Sequence, residues 1–208
     1  MKMSLKPALG LCIVAASWMI GCGALSSAGA PGDARFFRID PVSGRPADAR
    51  ASAAAADLPG LQLGRITGAL HLEERAVRRE SANEVGYYRE IRWTEAPERF
   101  LERLLTYVLF EELGMERRMG GTGATLDVHL VALDVVSEPR RLARAQAVAS
   151  LRDGGRVIWG ETLTVETLIV EIEGGDPVLE TVDALAEALR GLADRIANRA
   201  IRLEPVQP

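Results

Sequence analysis

From residue 142 to residue 152 the chain alternates with a period of two. Ala143, Ala145, Ala147, Ala149 and Leu151 point one way, and Arg144, Gln146, Ser150 and Arg152 the other. This pattern specifies a strand with one covered face and one wet face. The covered side carries little more than methyl groups, which leaves room for a helix to approach closely.

The flanking sequence supplies the rest of a sheet. Asp153-Gly154-Gly155 is a hairpin signal leading into a strand that starts at Val157-Ile158-Trp159 and occupies part of residues 157–172. Residues 125–136 precede it as another strand. Shorter strands are expected over 36–40, 61–67, 76–80 and 87–93, with turn residues from Ser81 to Gly86 between the last two.

Two stretches switch to helical period. Phe100, Leu101, Leu104, Leu105, Val108, Leu109 and Leu113 fall on one face, with Thr94 as the expected N-cap, Glu95 and Glu98 near the positive end of the dipole, Pro97 in the first turn and Gly114 as the stop. Near the C-terminus Asp176-Pro177 opens a second helix, whose stripe is Leu179, Val182, Leu185, Ala186, Leu189, Leu192, Ala193 and Ile196. The expected fold class is α+β: an antiparallel sheet with two amphipathic helices packed on one face.

The first segment has a different character. A short basic stretch containing Lys2 and Lys6 precedes an apolar run over 8–20 that is shorter than the roughly 20 residues needed to span a bilayer, which matches a secretory leader. Its end, Met19-Ile20-Gly21-Cys22, resembles the lipobox of bacterial lipoproteins, implying lipid attachment at Cys22. Cys12 is the poorer candidate because the bulky Leu11 precedes it. The expected organisation is a lipoprotein signal peptide over 1–21, a lipid-attached flexible tether over 22–35 and one domain over 36–208, with the alanine- and proline-containing stretch 43–58 as a loop insertion. An ordinary secreted protein cut elsewhere is the competing reading.

Composition narrows the function classes. The formal charge is −4 and both lysines lie in the leader, so the remainder is more acidic still and a nucleic-acid partner is not expected. The other basic residues are all arginine, whose fork suits phosphate, but their scatter is what coding bias produces. Both cysteines, Cys12 and Cys22, lie in the first segment. An acylated Cys22 therefore leaves no thiol nucleophile or thiolate metal site.

Several residues invite a chemical reading that their context does not support. His71 and His129 are the only histidines and have no metal-ligand spacing. No Gly-x-Ser-x-Gly elbow occurs. Gly120-Gly121-Thr122-Gly123 lacks the lysine of a phosphate cradle and reads as a turn. Glu73-Glu74 and Glu111-Glu112 read as solvated faces. No catalytic residue, metal or cofactor is expected. The candidate partner-binding residues are Trp93, whose more usual role at such a junction is to plug the first helix against the sheet, and Tyr87 and Tyr88, which project to opposite strand faces so that at most one is core-facing.

Three stretches resemble the auxiliary lipoproteins of ABC-type transport systems, the paraquat-inducible protein C-like family: Leu72-Glu73-Glu74-Arg75-Ala76-Val77, then Asn83-Glu84-Val85-Gly86-Tyr87-Tyr88, then Arg92-Trp93-Thr94-Glu95-Ala96-Pro97 leading into a leucine-rich helix. Ala76 departs from the family, which often has proline there, and 43–57 looks inserted. The resemblance implies a non-catalytic docking subunit on the outer membrane, facing the periplasm, with an MCE-domain protein and an ABC permease and ATPase as partners in intermembrane lipid transport; a homo-oligomer is compatible with it. A lipid-anchored envelope hydrolase and an outer-membrane assembly factor are the alternatives.

Overall fold

The computed structural model describes residues 33–42, 60–120 and 123–202. The leader, Cys22, most of the tether and the 43–58 insertion lie outside them. The described chain runs β1 (Arg35–Phe37), β2 (Leu61–Gly68), β3 (Arg75–Ser81), β4 (Glu84–Trp93), α1 (Pro97–Thr106), a π-helical continuation (Tyr107–Glu112), β5 (Ala124–Val136), β6 (Leu142–Asp153), β7 (Arg156–Leu168) and α2 (Pro177–Ile201). The class is α+β, as expected.

The sheet has seven strands and is mixed, which corrects the expectation of an antiparallel one. Along the order β1-β4-β3-β5-β6-β7 the hairpin neighbours β3–β4, β5–β6 and β6–β7 are antiparallel. Three pairs are parallel: β1–β4, β2–β5 and β3–β5. The physical reason is connectivity. A tight turn forces its two strands antiparallel, whereas strands distant in sequence are free to run either way. β2 lies against Ala124–Leu130 and β3 against residues 134–136 of the same β5 edge. One long strand is thus backed by two shorter ones laid end to end.

The alanine row is realised as expected. Ala143, Ala145, Ala147 and Ala149 are fully buried, α2 packs along β6 and β7, and α1 packs on β2 and β5 and touches α2. α2 contributes Leu185, Leu189, Leu192 and Ile196 together with buried Ala184, Ala188, Ala193 and Ala197. The approach is close enough that a Cβ on Gly191 would sit 3.1 Å from Val165 Cγ1. Leu179, assigned to the buried stripe, is instead exposed. It lies in the first turn, ahead of the first buried residue, Thr181.

Asp176 caps α2 as its position suggests, accepting from the Val178 and Leu179 amides at 3.0 and 3.4 Å, with Pro177 in the first turn. Its carboxylate also pairs with Arg35. The Arg35 hydrogen bond, aided by the two amides and opposed by slight burial, holds the Asp176 carboxyl below the ordinary carboxylate range. A carboxyl depressed in this way contributes stability above that range and loses it as pH falls through the lowered value.

At α1 the cap differs from expectation. Ala96, not Thr94, is the N-cap, and no side chain caps the helix. Pro97 has no N–H to satisfy and presets the first helical φ, so the helix starts there rather than two residues earlier. Gly114, at φ 65°, ends the segment as expected.

The packing generates a paired expectation. Ala147→Leu adds volume where α2 lies close and should cost about 1–3 kcal/mol, whereas Val148→Leu, on the neighbouring exposed position, should stay within about 0.5 kcal/mol. Urea unfolding of the two variants measures both; equal effects would mean that the alanines do not set the helix–sheet spacing.

Candidate interaction surfaces

The stretch from Arg92 to Pro97 builds the corner between β4 and α1. Trp93 ends the strand, its amide donating to Glu74 O at 2.6 Å, while the Thr94 amide donates to Phe37 O at 3.0 Å. The Trp93 ring meets Phe100 edge to face, with centroids 5.8 Å apart at 73°, and Trp93 is only 1% exposed. Arg103 lies over Phe100 and pairs with Glu95 at 2.6 Å, tying the corner to the helix that leaves it. Trp93 is therefore the plug of the corner, and its area is spent on the core rather than offered to a partner.

Tyr87 and Tyr88 are both partly buried and packed against the core, where at most one was expected to face it. The Arg75 guanidinium lies 4.3 Å over the Tyr87 ring, and the Tyr87 hydroxyl donates to His71 O at 3.4 Å. Tyr88 hydrogen-bonds Arg141. Burial disfavours the Arg141 charge, but Tyr88 and Glu171 more than offset it and raise its pKa.

The second surface is the sheet face away from the alanine row. Here Asp134 is fully buried between two arginines. Arg144 donates from Nε and Nη2 at 3.0 and 2.7 Å, and Arg79 Nε at 3.2 Å. Asp134 stands opposite Arg144 in the β5–β6 register and opposite Val77 on β3, so this cluster stitches three strands. Both arginines keep some solvent access, 20% and 25%.

Farther along β5, Gln62, Thr67, Asp127, His129, Ser150 and Arg152 are among the residues lining a shallow hollow of about 630 Å³. Thr67 Oγ1 and His129 Nδ1 are 2.8 Å apart. Asp127 accepts the Arg65 amide at 2.8 Å and pairs with Arg152. That amide is left free where β2 slips register between Leu63 and Ile66. Gly64 permits the closure, since a Cβ there would sit 2.4 Å from Asp127 Oδ1. Because Asp127 is committed to the bulge and to Arg152, it does not orient His129. Among the described residues no group of three or more His, Cys, Asp or Glu could hold a metal ion, and no helix is long and apolar enough to cross a membrane.

Sequence reasoning did not find Asp134, Arg144 and Arg79, because their meeting depends on strand register. The only local signal was Arg144 on the wet face of the alternating strand.

Comparison with solved structures identifies the fold. A Xanthomonas campestris protein of the DUF330 family is similar at 14% identity and TM-score 0.59, covering 69% of this chain and 84% of that one. An uncharacterized protein is similar at 16% identity and TM-score 0.60, covering 80% and 98%. Neither a protein-family model nor a curated protein matches the sequence.

The three-strand ion cluster yields a measurable expectation. Asp134→Ala strands two arginines that can regain only part of their hydration, so it should cost about 2–3 kcal/mol in urea unfolding, toward the low side of a broken buried pair. Removing Glu102, which pairs with exposed Arg99 at 2.8 Å, should leave the urea midpoint almost unchanged, because solvent screens an exposed pair.

Proposed function

We propose that this chain is a lipid-anchored, non-catalytic docking subunit of an ABC/MCE-type intermembrane lipid transport system, held at the outer membrane through Cys22 and facing the periplasm. The observation that carries the reading is the ordered set of resembling stretches over residues 72–97, set behind a lipobox ending at Cys22. The structure is compatible with it. The Arg92–Pro97 stretch supplies the strand-to-helix corner, and the sheet face away from the alanine row carries hydrogen-bonded polar clusters around Asp134 and Asp127. An anchor bearing two or three acyl chains, at about 0.8 kcal/mol per buried methylene, would hold the domain on the membrane permanently.

Mild crosslinking in the native host, followed by purification of this chain, should recover an MCE-domain protein. Mass spectrometry of the same material should find an acylated Cys22 at the mature N-terminus. Acylated protein that repeatedly brings down no MCE-domain partner contradicts the docking role, and an unacylated, soluble product contradicts the anchor.

A further inference from the structure

β7 is the terminal strand of the sheet. It runs thirteen residues, Arg156–Leu168, and pairs with β6 along its length. Among the described residues no strand lies along its other side. A terminal strand presents a row of backbone donors and acceptors that another strand can take, and proteins usually blunt such an edge by shortness, lysine, proline or a covering element. β7 is long and contains neither lysine nor proline. Its guards are a register irregularity at the β6 position pairs Leu151–Trp159 and Arg152–Val157 and two arginines of α2: Arg195, whose Nη1 donates to Thr164 O at 2.6 Å and must release it for another strand to pair there, and Arg199, which pairs with Glu161 and lies over Trp159.

Exposed apolar side chains sit at the two ends of this edge. Val157, Ile158 and Leu168 are 59%, 39% and 51% exposed, and Val170 and Ile172 just beyond the strand are also exposed. Charge is polarised along the edge, with Arg156 at the start and Glu166, Glu171 and Glu173 toward and beyond the end. A parallel copy would set like charge on like charge, whereas an antiparallel copy sets each basic end beside an acidic one.

We propose that two copies of this chain join edge to edge through β7, antiparallel about a two-fold axis near Leu163, so that their sheets become continuous. In that register Ile158 of one copy comes level with Leu168 of the other, Thr162 with Thr164, Glu161 with Val165 and Gly160 with Glu166. No like charges face each other, and the exposed apolar residues at each end are matched. The interface is isologous and therefore closes as a dimer rather than growing into a fibre. This inference does not depend on the transport reading.

The test is sedimentation velocity of the full chain in mild detergent over a range of concentrations, with the double variant Ile158→Glu/Leu168→Glu as comparison. The parent should show a concentration-dependent dimer. The variant, which adds charge beside Glu166 of the other copy, should weaken it by more than about tenfold with an unchanged thermal melt. With both native cysteines replaced by serine, crosslinking with a short bis-maleimide should join copies carrying Thr164→Cys, but not the cysteine-free parent or a chain carrying Phe36→Cys on the opposite edge. If the double variant fails to fold, the Thr164→Cys result decides alone. A monomer at every concentration, a dimer unaffected by the double variant, crosslinking through Phe36→Cys instead of Thr164→Cys, or β7 occupied only by a different co-purifying protein would each overturn the proposal.

Discussion

Four methyl groups in a row on β6 govern how near α2 can lie to the sheet, and most other features of the domain follow from that distance. With Ala143, Ala145, Ala147 and Ala149 underneath it, α2 comes close enough for Gly191 to approach Val165. From there Arg195 reaches the Thr164 carbonyl, and Arg199 reaches Glu161 and stacks near Trp159. At its other end Asp176 caps the helix and pairs with Arg35, the first residue of β1. Bulkier residues on β6 would lift the helix and break these contacts together, because packed interiors have little free volume to absorb the change.

The opposite face is organised on other terms. Its order comes largely from hydrogen bonds and ion pairs that cross strands. Asp134 joins β5 to β6 and β3, Asp127 closes the bulge in β2 and holds Arg152, and Gln146 donates to Thr164 at 2.9 Å. A polar surface of this kind can stay hydrated in the free protein and still exchange its partners for those of a docked molecule.

Local physics made much of this legible in advance. The period-two alanines, the Asp153-Gly154-Gly155 hairpin and the Asp176-Pro177 cap each state their structure within a few residues, and each was realised. The class, α+β, followed from them. What escaped was non-local. The parallel pairing of β2 and β3 with β5 leaves no mark in either strand, so turn signals alone suggested an antiparallel sheet. The Asp134 cluster needs the register of three strands before its charges can be seen to meet. The π-helical continuation at Tyr107–Glu112 lies inside an apolar stripe that reads as ordinary helix. Trp93 was legible as a residue of consequence, and it is buried edge to face against Phe100.

The dependence of the domain on α2 seated over the alanine row is tested most directly by native-state hydrogen exchange. If the row and the helix form one cooperative core, the central amides of α2, β5 and β6 exchange with the same opening free energy, equal to that of global unfolding. A population in which α2 exchanges at markedly lower free energy while β5 and β6 stay protected would contradict it, because the sheet would then stand without the helix.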